Sequence, residues 1–142
     1  ILAIYIDLAL AQHTIEKRVD MWQRIIGREL AQVLVAVENN QIVGFICFGQ
    51  PKNYKNTQFY ELSSIYLKPS HFNLGVGSQL YAECEKIMTL AKAKRITLWV
   101  LDGNQQALNF YQKMGFVATG EINKERADDI VLQDLQLAKQ LC

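Results

Sequence analysis

The sequence predicts a mixed α/β sheet, antiparallel at its start and parallel in its middle, flanked by helices. Three observations carry that expectation. Two short apolar runs bracket an Asn39-Asn40 dipeptide, which reads as a hairpin. Further on, two apolar runs are each followed by a stretch with helical spacing, the pattern of parallel strands joined by crossover helices. The last two apolar runs have no helix between them and read as a closing antiparallel pair.

The elements follow in order. Residues 1–11 are apolar except for Asp7, so residues 1–12 are expected to form a helix. Thr14 caps a second helix, in which Ile15, Val19, Trp22 and Ile26 recur at helical spacing until Gly27 stops it. Residues 33–37 and 42–48 are the hairpin strands, 51–56 a polar loop, and 59–67 a strand ended by Lys68-Pro69. The turn Asn73-Leu74-Gly75-Val76-Gly77 opens an amphipathic helix whose stripe is Leu80, Tyr81, Cys84, Ile87, Met88 and Ala91, with Gln79, Glu83 and Lys86 off it. Residues 96–101 read as a strand covered on both faces. Asp102-Gly103-Asn104 starts a helix with Ala107, Phe110, Tyr111 and Met114 on its apolar face, and Gly115 ends it. Residues 116–122 and 130–137 are the final strands, separated by a charged turn at 123–129.

Composition narrows the function. The 142 residues, 50% apolar and 20% charged, suit one domain spanning 1–142 with a real core. Fifteen basic and fourteen acidic residues leave a net charge of +1. From residue 59 onward nine basic residues face nine acidic ones, so no basic arm is set aside for nucleic acid. Cys47, Cys84 and Cys142 are odd in number and lack a C-x-x-C spacing, and His13 and His71 lie far apart, so neither a disulfide framework nor a metal site is expected. That usage suits reduced thiols in a cytoplasmic protein. No apolar run reaches the ~18 residues that span a bilayer. Ala9-Leu10-Ala11 looks like a signal-peptidase site, but no positive segment precedes it and Asp7 interrupts the apolar stretch, so a helix is expected there instead. Because the first residue is Ile1, residues upstream of it are expected in the native protein.

Two local patterns carry chemistry. Leu74-Gly75-Val76-Gly77-Ser78 sits between a strand and a helix, where unpaired first-turn N–H groups and the positive helix end suit an anionic group. A dinucleotide site is a poor match: Leu80 stands where the third glycine belongs, a hairpin precedes the turn, and about 20 residues on the charges are Lys92, Lys94 and Arg95 rather than acidic. The second pattern is Asn104-x-x-Ala107-x-x-Phe110-Tyr111-x-x-x-Gly115-Phe116, six fixed positions whose coincidence is on the order of 10⁻⁸ per starting position.

That second pattern resembles the second signature of the GNAT N-acetyltransferases, with Leu98-Trp99-Val100-Leu101 before it as the strand they carry. The Gly75/Gly77 turn resembles their acetyl-CoA pyrophosphate loop, and the likeness covers roughly residues 30–137. It implies a GNAT-like sheet whose parallel central pair, 59–67 and 96–101, splays apart to admit the pantetheine arm of acetyl-CoA. Ile65 and Leu67 would offer backbone groups to that arm, as in sheet augmentation. Residues Asn73, Leu74, Gly75, Val76, Gly77 and Ser78 would hold the pyrophosphate, and Asn104 would contact the cofactor as well as cap its helix. Ser63-Ser64 breaks the apolar pattern and suits a bulge that bends the strand.

The resemblance also implies the reaction, acetyl transfer from acetyl-CoA to a primary amine by direct attack in a ternary complex, with no metal and no membrane partner. A substrate amine with a pKa near ~10 must lose a proton before it attacks. Glu61, the only carboxylate on its strand, matches the place of the general base; Tyr111 matches the general acid that meets the departing thiolate. Cys84 reads as core packing and His71 as an exposed loop residue. One departure stands out: Phe72 occupies the place, three residues before the first glycine, where the family usually has Arg or Gln. It motivates a rival reading, a GNAT-like module that binds or senses an acyl-CoA without turnover. The resemblance admits a homodimer.

Overall fold

The computed structural model describes residues 3–5, 31–50 and 58–141. Their order is β1 (Ala3–Tyr5), β2 (Ala31–Glu38), β3 (Gln41–Gly49), β4 (Phe59–Leu67), a 3₁₀ turn (Pro69–His71), α1 (Val76–Leu90), β5 (Arg95–Leu101), α2 (Gln105–Lys113), β6 (Val117–Ala127) and β7 (Ile130–Gln140). The strands form one sheet in the order β1-β2-β3-β4-β5-β7-β6. All neighbours are antiparallel except β4 and β5, which run parallel. This is the mixed sheet the sequence predicts, with its parallel pair at the centre.

The local signals hold where they rest on backbone chemistry. Asn39 and Asn40 take φ values of 52° and 63°, the double left-handed turn that closes a two-residue hairpin and that Asn tolerates. Opposite Cys47 and Phe48 of β3 stand Ser64 and Leu62, so Ser63 is the extra residue of a bulge in β4. On α1, Leu80, Tyr81, Cys84 and Met88 are buried, Ile87 is half-buried, and Gln79, Glu83 and Lys86 are exposed. Full burial of Leu80 and of Met88 contributes roughly 1.5–3 kcal/mol each. The stripe stops short of Ala91, which lies past the helix and is exposed.

The core under α1 joins these side chains to Leu34, Ile46 and Phe48 of the hairpin, Leu62 of β4, Ile96, Leu98 and Val100 of β5, and Phe116. A second cluster, Val33, Val35, Ile42, Phe45 and Cys47, forms separately, with Tyr66 packed against it. Lys139 ties β7 to α1 by donating to Glu85 Oε2 and to the Met114 carbonyl, both at 2.8 Å.

Four expectations are corrected. Residues 3–5, expected in a helix, form a strand paired with Val35, Ala36 and Val37 of β2. Ile4 and Tyr5 have strand-forming side chains, and the open edge of β2 offers hydrogen bonds that a local helix pattern does not register. The strand 96–101 is not covered on both faces, for Trp99 and Leu101 are 41% and 43% exposed. Its burial alternates because only one face, with Ile96, Leu98 and Val100, meets the main cluster. The charged turn 123–129 shrinks to Asp128-Asp129, since Asn123 to Ala127 pair with Asp134 to Ile130 as arms of a long hairpin. Ladder hydrogen bonds come from the backbone, so exposed charged residues extend a strand that apolar patterning ends too early. His71, expected to be exposed, is half-buried. The helix from Thr14 and the loop at 51–56 lie outside the described residues.

Candidate active site

β4 and β5 begin as neighbours and then part. Phe59, Tyr60 and Glu61 pair with Arg95, Ile96 and Thr97, and the parallel ladder stops there. Beyond it β4 stays on β3 through Leu67, while β5 stays on β7 through Leu101. The bulge at Ser63 lies two residues past the last parallel pair, where it bends β4 away. Among the described residues β5 therefore does not pair with β4 past Glu61, and a gap opens between the two strands.

At the far end of β4 the chain turns through Pro69–His71 into the glycine segment. Asn73 and Gly75 adopt left-handed φ values of 61° and 83°, and Gly75 is the N-cap of α1. With no side chain at the cap, the first helical bond runs from Gln79 N–H to the Gly75 carbonyl at 3.0 Å. The amides of residues 73–78 donate to no acceptor among the described residues. A concave run of free N–H groups at a helix start is a site for a phosphate or carboxylate. Gly77 serves packing instead: a Cβ there would stand 3.2 Å from Leu67 Cδ1 and from Phe110 Cε1. Its absence lets α1 approach β4 and α2 closely.

A cleft of about 610 Å³ joins these parts. Ile65, Tyr66 and Leu67 form one wall, the segment from Pro69 to Ser78 forms the floor, and α2 supplies the other wall. Of the site residues expected from sequence, Ile65, Leu67, Asn73, Gly75, Val76, Gly77, Ser78, Asn104 and Tyr111 line it. Leu74 and Glu61 do not. The Leu74 side chain is 66% exposed, and only its backbone shares in the amide run.

Asn104 caps α2 by accepting a 3.2 Å bond from Ala107 N–H, and it also faces the cleft. Tyr111 is 7% exposed, with its ring edge-on to those of Phe110 and Phe116. Burial pushes its phenol up to about 12, so it remains protonated through the neutral range. Glu61 is half-buried, and burial raises its carboxyl above the usual carboxylate range. It adjoins Leu62, which belongs to the core under α1, so strand alternation turns Glu61 to the opposite face of the sheet. The two proton-handling candidates thus lie on opposite sides of the sheet, with Glu61 at the point where the strands part.

His71 is better placed than its loop position suggests. Its Nε2 lies 3.0 Å from Glu38 Oε1 and its Nδ1 2.8 Å from Ser70 Oγ, which ties the cleft floor to the β2–β3 hairpin. Sequence reasoning also passed over Gln106, Asn109 and Lys113 on the lip of α2. Their spacing of three and four residues from one another put them on one helix side, a signal readable beforehand. Cys47 and Cys84 are buried, and burial pushes the Cys47 thiol up to about 12 and the Cys84 thiol up as well, so neither is a ready nucleophile. No group of three His, Cys, Asp or Glu among the described residues could hold a metal ion. No helix among them is long and apolar enough to cross a membrane.

Known proteins are similar to this chain in sequence or in fold. The chain is 27% identical over 97 residues to the L-amino acid N-acyltransferase MnaT of Escherichia coli, covering 63% of this chain and 52% of that protein. It is 31% identical over 87 residues to the 5-NmdU N-acetyltransferase of Pseudomonas phage PaMx11, covering 61% and 58%. The aligned region thus spans little more than half the length of either curated relative. Among solved structures, a GNAT family acetyltransferase from Elizabethkingia anophelis with acetyl-CoA bound superposes with a TM-score of 0.75, at 17% identity, over 99% of this chain and 98% of that one. At that identity the likeness is one of fold. The family model of the acetyltransferase (GNAT) family matches residues 2–116, and the chain belongs to that family.

Proposed function

We propose that this chain, as a single GNAT-like domain, transfers an acetyl group from acetyl-CoA to a primary amine of a small molecule or protein. The observation that carries the reading is the end of the parallel ladder at Glu61 and Thr97, beside a helix start with free amides. The residues fit the donor. The amides of 73–78 suit its diphosphate, and the backbone of Ile65 and Leu67, past the end of the β4–β5 ladder, suits the amide groups of pantetheine. Asn104 keeps its side-chain N–H₂ for the arm while its oxygen caps α2. When bound, the donor supplies an acetyl group activated as a thioester.

The remaining work falls to this chain's side chains. The amine enters from the Glu61 face, and Glu61 takes its proton through water, helped by burial that makes the carboxylate a better base. The amine nitrogen bonds to the thioester carbon as the carbon–sulfur bond breaks, and the new amide nitrogen sheds its second proton to water, from which Tyr111 is later reprotonated. Tyr111 donates its proton to the departing thiolate from the cleft side. Attack is direct in this reading, and the buried thiols of Cys47 and Cys84 take no part in it. Most of the acceleration comes from holding thioester and amine together, worth roughly 7–11 kcal/mol. Both curated relatives are named for acylation at nitrogen, which supports an amine acceptor. The near-neutral charge and reduced, buried thiols suit a cytoplasmic protein without a nucleic-acid or membrane partner.

The test is thiol release from acetyl-CoA with a panel of amino acids, polyamines, aminonucleosides and peptide amines. Turnover with at least one member is the expected result. Saturable binding of coenzyme A with no turnover across the panel overturns the enzymatic reading.

A further inference from the structure

The anion site of this chain lacks a basic side chain at the position preceding its glycine turn. Phe72 stands there, 40% exposed and lining the cleft. Amides alone are neutral donors, and a tri-phosphorylated ligand such as coenzyme A calls for a cation as well. Among the described residues two basic side chains line the cleft, His71 and Lys113. Both ring nitrogens of His71 are already engaged, one by Glu38 and one by Ser70. Lys113 is different. It sits in the last turn of α2, which lines the same cleft as the amide run, and its ammonium has no acidic partner among the described residues.

We infer that Lys113 is the cation that binds a phosphate of the donor, from the α2 side of the cleft, in a chain that has Phe72 beside its amide run. The inference rests on the proposed acetyl-CoA reading. Its physics is separate: amides supply fixed, short-range donors, whereas a lysine on a flexible stem reaches a phosphate as a point charge. Its exposure also makes the contribution sensitive to salt.

The full chain, Lys113→Ala and Lys113→Arg are titrated with coenzyme A, 3′-dephospho-coenzyme A and phosphate-free pantetheine at low and high salt. Lys113→Ala is expected to weaken coenzyme A by about 5- to 10-fold at low salt, as a charge-assisted contact partly exposed to water should. Lys113→Arg stays within about 3-fold, and pantetheine binds all three proteins alike. If 3′-dephospho-coenzyme A erases the penalty, the ribose phosphate is the partner; if the penalty persists, the diphosphate is. Equal affinity of Lys113→Ala and the parent for coenzyme A at low salt overturns the inference. So does a loss that extends equally to pantetheine, which marks a structural role. Failure of the parent protein itself to bind coenzyme A sinks the acetyl-CoA reading instead, so the two failures are distinct. Introducing Phe72→Arg into Lys113→Ala is expected to restore part of the lost affinity.

Discussion

Gly75 and Gly77 stand two residues apart in one turn, and their replacement by alanine should do harm for different reasons. At Gly75 a Cβ meets nothing within 4 Å, so crowding is absent, but φ is 83°. A left-handed alanine costs about 1–2 kcal/mol, of which about 0.4–1 kcal/mol is offset because alanine also stiffens the unfolded chain. The net loss is about 1 kcal/mol, or about 3 °C in Tm for a chain of this size. If the backbone instead relaxes out of that conformation, amides of residues 74–76 swing away. Each lost charge-assisted bond to a phosphate then weakens coenzyme A by ~10-fold or more. Gly75→Asn, which tolerates the same φ, should recover most of both losses. Gly77→Ala acts by contact: 3.2 Å to Leu67 and Phe110 is ~0.3–0.8 Å short of a relaxed carbon pair. Overpacking of that kind costs about 1–3 kcal/mol, and the better helix propensity of alanine returns at most ~1 kcal/mol. Calorimetry with coenzyme A titration separates the cases, because an asparagine rescue belongs to position 75 alone. A Gly75→Ala protein with parental Tm and parental affinity refutes the left-handed cap as the device that aims the amides.

The other predictions concern the proton handlers and the α2 cap. Tyr111→Phe should lower kcat by roughly 10- to 100-fold with coenzyme A affinity within about 2-fold; a large affinity loss in the titration would make Tyr111 a packing residue. With its phenol held near 12 by burial, Tyr111 should impose no basic limb on the rate profile below about pH 11. Glu61→Gln should reduce kcat/KM by about 10²-fold or more at neutral pH, and the parent's acid limb should fall above the ordinary carboxylate range, since burial raises this carboxyl. The stability sign runs oppositely: a raised carboxyl supports folding below its unfolded pKa, and that support disappears as pH rises through the folded value. Glu61→Gln should therefore raise Tm at neutral pH, and an unchanged or lower Tm in a calorimetric scan counts against burial as the cause. Asn104→Ala should cost about 0.5–2 kcal/mol in denaturant unfolding through the lost cap. Asn104→Ser, which keeps a capping oxygen but no amide N–H₂, should retain that stability and still bind coenzyme A less well.

Much of the site was legible because it rests on local backbone chemistry. A glycine with nothing to hinder a left-handed φ at 75, an asparagine that caps at 104, an Asn-Asn hairpin at 39–40 and a serine pair that breaks an apolar strand at 63–64 each act within a few residues. Spacing on α2 put Ala107, Phe110 and Tyr111 on one face, and the resemblance named their chemistry. Tertiary structure decided the rest, since a strand's neighbour is chosen by whichever edge has free hydrogen-bonding groups, however distant in sequence. That choice made residues 3–5 a strand, inserted β7 between β5 and β6, and carried a charged hairpin well past its apolar stretch. It also ended the β4–β5 ladder after Glu61 and Thr97, which no periodicity in either strand records. Lys113 illustrates the same division: helical spacing put it on the side of Gln106 and Asn109, but only the packing of α2 against Gly77 brought that side to the mouth of the cleft.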